Sequence, residues 1–477
     1  MKRYIGIWVL CFLSLTFAQG KIKLPAMIGN HMVLQQNSSV KLWGWADNKK
    51  VTVTTSWNNR TYQTSAGKDG SWTVKVDTPA GSYTPYSITI SDGEGVTLSD
   101  ILIGEVWVCS GQSNMDMRMM GNTGQPIDHS LETILNAGNY RDRIRFIAVP
   151  RTKEVERRVD FEGRKWEVSA PEAVVTCSAA AYFFARQITE TLNIPVGLVI
   201  SSWGGSRIES WMNEETLSSV HGVDIAAAKS AELRMHHRLG CMYDTMLWPV
   251  KNFTARGFLW YQGESNIFNY QYYAPMMTAM VQQWREVWEA PDMPFYYVQI
   301  APHKYKDSRD TDAALLREAQ AKALETIPNS GMIATTDIGD EFCIHPPQKN
   351  VVGLRLATLA LTKTYGIRKL PTTGPMMTKV DYSEGKATVT FDNASAGLAP
   401  AFCNLEGFEI AGDDKKFYPA KAQIVDRTPT VKIWSEQVSQ PVAVRYAFRN
   451  YAGNITLRNT FGLAAFPFRT DTWDEVK

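Results

Sequence analysis

The chain has 477 residues, 44% hydrophobic and 21% charged, with 33 glycines and 22 prolines. At roughly 150 residues per domain that length suggests about three domains, and the composition excludes a disordered or collagen-like chain. Lys and Arg number 50 against 48 Asp and Glu, and the net +2 gives no reason to expect a nucleic-acid partner.

Lys2 and Arg3 precede an apolar run from Ile5 to Ala18, and Ala18-Gln19-Gly20 supplies small residues at signal-peptidase spacing. Residues 1–20 therefore read as a signal peptide, and the protein as exported, periplasmic or extracellular. The run falls short of the ~20 residues that span a bilayer. No later segment qualifies, so no membrane span is expected in the mature chain. Loss of Cys11 with the leader leaves Cys109, Cys177, Cys241, Cys343 and Cys403. An odd number leaves at least one thiol unpaired or paired between chains. No CxxC and no zinc-spaced Cys/His cluster appears, and His236-His237 reads as a polar surface pair; neither a metal nor a nucleotide or other cofactor is implied.

From 21 to 99 the chain alternates: Val40–Trp45, Val51–Thr54, Trp72–Val76 and Tyr86–Ile90 are expected strands of a small antiparallel sandwich, because successive strand side chains face opposite sides. From 100 to 371 the rhythm changes. Ile101–Val108, Val196–Ile200, Gly257–Tyr261, Phe295–Ile300 and Met332–Thr336 are nearly continuous apolar runs, as in strands covered on both faces. Helical spacing over Ser178–Leu192, Tyr273–Trp288 and Asp312–Thr326 separates them, and the alternation predicts a largely parallel α/β sheet. From 372 to 477 short strands return at Lys386–Phe391, Thr430–Trp434 and Val442–Phe448, as a β-rich domain or an extension of the central one. The 15 Trp, 19 Tyr and 19 Phe fit a large aromatic core first and carbohydrate handling second.

Functional loops of an open parallel sheet lie beyond the strand C-termini. Cys109-Ser110-Gly111-Gln112-Ser113-Asn114-Met115 follows the first buried strand, where Ser113 is a candidate nucleophile or an ordinary helix cap. Ser201-Ser202-Trp203-Gly204-Gly205-Ser206-Arg207 follows the next, its adjacent glycines allowing close backbone approach. Gln262-Gly263-Glu264-Ser265-Asn266 offers carboxamides and a carboxylate to a ligand. Asp337–Pro347 carries His345 among Gly, Asp and Pro.

Gly111–Met115, Trp203–Ser206, Tyr261–Asn266 and Ile344-His345-Pro346, in that order, resemble the blocks of the SGNH (GDSL-like) hydrolases, and more narrowly the sialate O-acetylesterase group. Met32–Gln36, Gly104–Trp107 and Phe466–Asp471 extend the resemblance over nearly the whole mature chain. It implies a flavodoxin-like three-layer core flanked by N- and C-terminal β-regions. The activity it implies is hydrolysis of O-acetyl esters of sialic acids or other acetylated glycans, with Ser113 as nucleophile and His345 as general base. The Ser113 amide, an amide of Gly204 or Gly205 and the Gln262 carboxamide would form the oxyanion hole, Gln262 standing where broader relatives carry Asn. Trp203, Arg207, Glu264 and Asn266 are candidate substrate contacts, Arg207 for a carboxylate. Tyr261, Trp203 and Trp211 are candidate sugar-stacking rings or core residues.

The carboxylate that would orient His345 is less defined. Phe342 occupies the position three before the histidine where such enzymes commonly place Asp. Asp340 is the first side-chain candidate, with Glu341 and Asp337 behind it and the Cys343 carbonyl as the alternative. An acetylxylan or other polysaccharide acetylesterase is the nearest alternative function, and a non-catalytic carbohydrate-binding protein the next.

Overall fold

The computed structural model describes residues 22–306 and 308–473; the expected leader at 1–20 lies outside them. Apolar strands buried on both faces assemble the central sheet. Its order is Ser330–Ile333, Phe295–Val298, Gly257–Tyr261, Gly95–Gly111, Val196–Ser202, Ile144–Ala148 and Glu167–Val168. All neighbours are parallel except the last pair. Along Gly95–Gly111 the side chains alternate as the pleat requires. Val106 and Val108 join the core under helices Tyr273–Val287 and Asp312–Thr326, and Trp107 and Cys109 the core under Ala179–Leu192 and Lys349–Lys363. This is a three-layer α/β fold with a flavodoxin-like parallel sheet.

Helix Ala179–Leu192 starts where Ser178 Oγ accepts the Ala181 amide and ends at Asn193 in the left-handed region, φ 53°. It lies against Lys349–Lys363, a helix that no sequence pattern singled out. The contact is tight because Gly353 has no side chain: a Cβ there would stand 2.5 Å from Phe183 Cβ.

Two expected strands are shorter or shifted. The run expected at Met332–Thr336 pairs over Ser330–Ile333 instead, and Thr335 and Thr336 turn their hydroxyls to the carbonyls of Gln299 and Ala465. The run from Phe295 leaves the sheet after Val298, and the Ile300 amide donates to Gln320 Oε1.

Strand Gly95–Gly111 does more than join the central sheet. Its first half pairs antiparallel with Ser82–Ser91 and parallel with Val33–Gln35, so the boundary expected at 99/100 falls within one continuous strand. Asp100 takes a φ of 57°, and its carboxylate bonds His31 and the buried Arg145. Fully buried Glu105 is held by Arg256 at 2.8 Å, Gln36 at 2.7 Å, Gln35 at 3.1 Å and the Tyr365 hydroxyl at 2.8 Å. These bonds are what the Met32–Gln36 and Gly104–Trp107 blocks do: they tie the N-terminal strands to the root of the sheet.

Beyond residue 375 two four-stranded antiparallel sheets enclose a separate apolar core. Arg469 bonds Glu318 of helix Asp312–Thr326, and Arg445 pairs with buried Asp471. No helix among the described residues is long and apolar enough to cross a membrane. Cys109, Cys177, Cys241, Cys343 and Cys403 are all free thiols.

Candidate active site

The connection from Gly95–Gly111 runs to one side of the sheet and later strands are added on the other, so the strand order reverses beside its C-terminus. Gly111 lies level with Tyr261 on one side and Ser202 on the other, which brings three of the four predicted loops together. Gly111 turns the chain there with φ 133°; a Cβ would meet the Tyr261 carbonyl oxygen at 2.2 Å. The short helix Ser113–Asp116 follows.

Ser113 Oγ is 2.8 Å from His345 Nε2, joining residues 232 apart in sequence. The second imidazole nitrogen, Nδ1, is 2.9 Å from Oε1 of Gln125, a residue outside every block of the resemblance. Burial, with Lys349 and His303 nearby, lowers the His345 pKa from 6.5 to about 4, so the ring is neutral at pH 7.

The expected carboxylate partner is elsewhere. Asp340 Oδ1 accepts the amides of Phe342 and Cys343, both at 2.8 Å, and so shapes its own turn rather than reaching His345. Glu341 pairs with Lys304 and Asp337 with Arg355, while Phe342 is 86% exposed. Nor does the Cys343 carbonyl bond the ring; the Cys343 thiol donates to the His345 carbonyl.

Two of the three expected oxyanion elements stand open. Among the described residues the amides of Ser113, Gly204 and Gly205 have no hydrogen-bond partner, and a Cβ on Gly204 would lie 3.4 Å from Ser113 Cβ. The Gln262 carboxamide does not join them. It is fully buried, and its Nε2 spends both hydrogens on the Ser206 carbonyl and Asn266 Oδ1, at 3.0 and 2.8 Å. Its Oε1 accepts the Tyr273 hydroxyl.

The candidate substrate contacts divide in the same way. Asn266 is buried and braces the loops: Oδ1 accepts the Ile208 amide and Nδ2 donates to Glu209. Glu264 is buried and accepts from Asn114 Nδ2 at 2.6 Å; burial raises its pKa. Tyr261 and Trp211 are wholly buried and close the core. Trp203 is partly exposed, stacked near His236 with the Arg151 guanidinium over its ring at 5.4 Å. Arg207 is partly exposed, and its guanidinium has no hydrogen bond or ion pair among the described residues. Arg151, which no motif marks, bonds Asp116 beside the serine, and its guanidinium reaches to 3.8 Å from where a Cβ on Gly204 would stand.

Below these groups Asn114 Nδ2 also holds the Ile344 carbonyl at 3.1 Å, and Lys349 Nζ bonds Asn114 Oδ1 and the Pro346 carbonyl at 2.8 and 2.6 Å. The residue after the serine and the residues flanking the histidine are thereby held in one buried network.

A serine bonded to an imidazole at the switch point of a doubly covered parallel sheet is an arrangement that an ester hydrolase can use. Residues 103–362 match the family described as "Carbohydrate esterase, sialic acid-specific acetylesterase". A sialate O-acetylesterase of Mus musculus is 26% identical over 90% of this chain and 90% of its own length. That of Rattus norvegicus is 27% identical over 75% and 76%. A solved carbohydrate acetylesterase from Xanthomonas citri superposes with a TM-score of 0.85 at 31% identity, covering 95% of this chain and all of the other. The chain belongs to the sialic acid-specific acetylesterase family of carbohydrate esterases.

Proposed function

We propose that the protein removes O-acetyl groups from sialic acids, with Ser113 as nucleophile and His345 as general base. The 2.8 Å contact between Ser113 Oγ and His345 Nε2 carries this reading. As Oγ attacks the acetyl carbonyl its proton passes to Nε2, and the carbonyl oxygen becomes an oxyanion facing the open amides of Ser113, Gly204 and Gly205. Collapse expels the sugar alkoxide, which takes the proton from His345 and leaves acetyl on Ser113. Water, deprotonated by His345, then releases acetate.

The sialate assignment rests on the family and on Arg207, whose unpaired guanidinium on the glycine loop suits a sugar carboxylate. The Xanthomonas citri relative, named only for carbohydrate, supports an acetylated neutral polysaccharide as the second reading. The leader pattern supports export.

Acetate release from O-acetylated sialic acid and from acetylated xylan, by wild type and Ser113→Ala, tests both levels. The expected result is preference for the sialic acid ester and loss of roughly three orders of magnitude or more in kcat for the variant at unchanged Tm. Parental activity in Ser113→Ala would refute the nucleophile; preference for xylan would refute the substrate.

A further inference from the structure

We propose that Gln125 is the positioning residue of His345, a neutral amide acting where serine hydrolases of this chemistry use a carboxylate. The proposal rests on the Ser113–His345 assignment above and adds the residue that sets the imidazole's tautomer and charge.

The amide oxygen faces the ring. Gln125 Oε1 lies 2.9 Å from His345 Nδ1 and also accepts Asn122 Nδ2 at 3.4 Å. With oxygen at Nδ1, the ring must carry its hydrogen on Nδ1 and present the Nε2 lone pair to the Ser113 hydroxyl, which is the productive tautomer for a base.

The loop carrying the amide is built to hold it. Asn122 and Gln125 exchange backbone hydrogen bonds of 3.0 and 2.9 Å, closing a tight turn. Gly121, at φ 77°, passes so near that a Cβ would stand 2.4 Å from the Gln125 carbonyl oxygen. The Asp128 amide then donates to the Pro347 carbonyl at 3.1 Å, fastening the turn to the histidine's own loop.

An amide differs from a carboxylate in one respect that can be measured. A carboxylate both orients the ring and stabilises its protonated form; the amide orients it and adds no negative charge. No carboxylate among the described residues hydrogen-bonds the His345 ring. The charged and titratable groups that act on it are Lys349, from the helix following its loop, and His303, from the loop beyond Phe295–Val298; both oppose protonation. The nearby carboxylates bond other groups: Glu264 bonds Asn114 through one oxygen, Asp116 bonds Arg151, and Asp340 bonds its own turn. The imidazole therefore remains a free base in acidic solution, at a strength below that of a carboxylate-backed histidine.

The test uses full-length enzyme and 4-nitrophenyl acetate, so that it does not depend on the sugar, with kcat/KM measured across the acid and neutral range. In Gln125→Glu the acid limb should move to higher pH by about one to three units, since an adjacent carboxylate favours imidazolium. Gln125→Ala should lower kcat on the order of a hundredfold at nearly unchanged KM, because the ring loses its fixed pose. Gln125→Asn, whose shorter arm falls short of Nδ1, should resemble Ala. A Gln125→Glu profile superimposable on wild type, or a Gln125→Ala enzyme of parental kcat, would overturn the proposal. Neither result would touch the nucleophile, because Ser113→Ala reports on that separately.

Discussion

Lys349 carries an amino group fully removed from water, and its two acceptors, Asn114 Oδ1 and the Pro346 carbonyl, belong to the segments bearing Ser113 and His345. At about pH 10 and above, where the lysine approaches neutrality in both states, Lys349→Met leaves these acceptors unpaired, an expected cost of about 1–3 kcal/mol in urea unfolding. Burial also brings the lysine pKa from 10.5 to about 7. The unfolded chain keeps that proton up to its ordinary pKa. Between pH 7 and about 10 the unfolded state therefore binds more protons, and stability rises with pH. The wild type should accordingly gain in urea midpoint relative to Lys349→Met across that window; a constant difference would mean the ammonium does not sense its burial. Carboxamides in the site follow the same logic of commitment. Gln262 and Asn266 sit in a loop that reads as ligand-facing, yet burial obliges each to satisfy its own donors and acceptors within the protein, leaving nothing for substrate.

At the scale of elements, the face-to-face contact of Ala179–Leu192 with Lys349–Lys363 depends on the bare backbone of Gly353. Gly353→Ala should cost about 1–3 kcal/mol through overpacking, despite the better helix propensity of alanine. A rise in Tm instead would show that the helices can separate without penalty. These elements also mark what could be read from sequence. Helix Asp312–Thr326 and strand Gly257–Tyr261 have the expected ends, because apolar periodicity is a local signal that tertiary packing here reinforces. Ser113 and His345 were recognisable because each sits in one of the ordered blocks of the resemblance, Ser113 just beyond a strand. Gln125 was not, since its partner is 220 residues away and a glutamine in a turn has no period to betray it. The cluster Gly121-Asn122-Thr123-Gly124, following so soon after the serine, was the available sign of a constrained turn. Asp340 was misplaced for a related reason: sequence proximity to His345 suggested a contact, while the nearest amides captured the carboxylate.

At the scale of the molecule, the C-terminal β-region reaches the catalytic face through Asn450. Its carbonyl accepts the His303 amide at 3.0 Å, and its buried carboxamide caps the start of Asp312–Thr326 through Ala313 and grips Ser308 and Arg309. His303 in turn donates to the Asp340 carbonyl in the histidine loop. Asn450→Ala should lower stability by about 1–3 kcal/mol and reduce kcat as well. An unchanged kcat at lowered Tm would confine the residue to a structural part.

The seventeen residues of Gly95–Gly111 give the enzyme a single spine, rooted among the N-terminal strands and tipped by the turn that carries Ser113. A cut at residue 99 would not detach an accessory module; it would sever the rod on which the esterase is mounted. Ligands that tighten the N-terminal pairing should for that reason slow thermal inactivation of a centre they never touch.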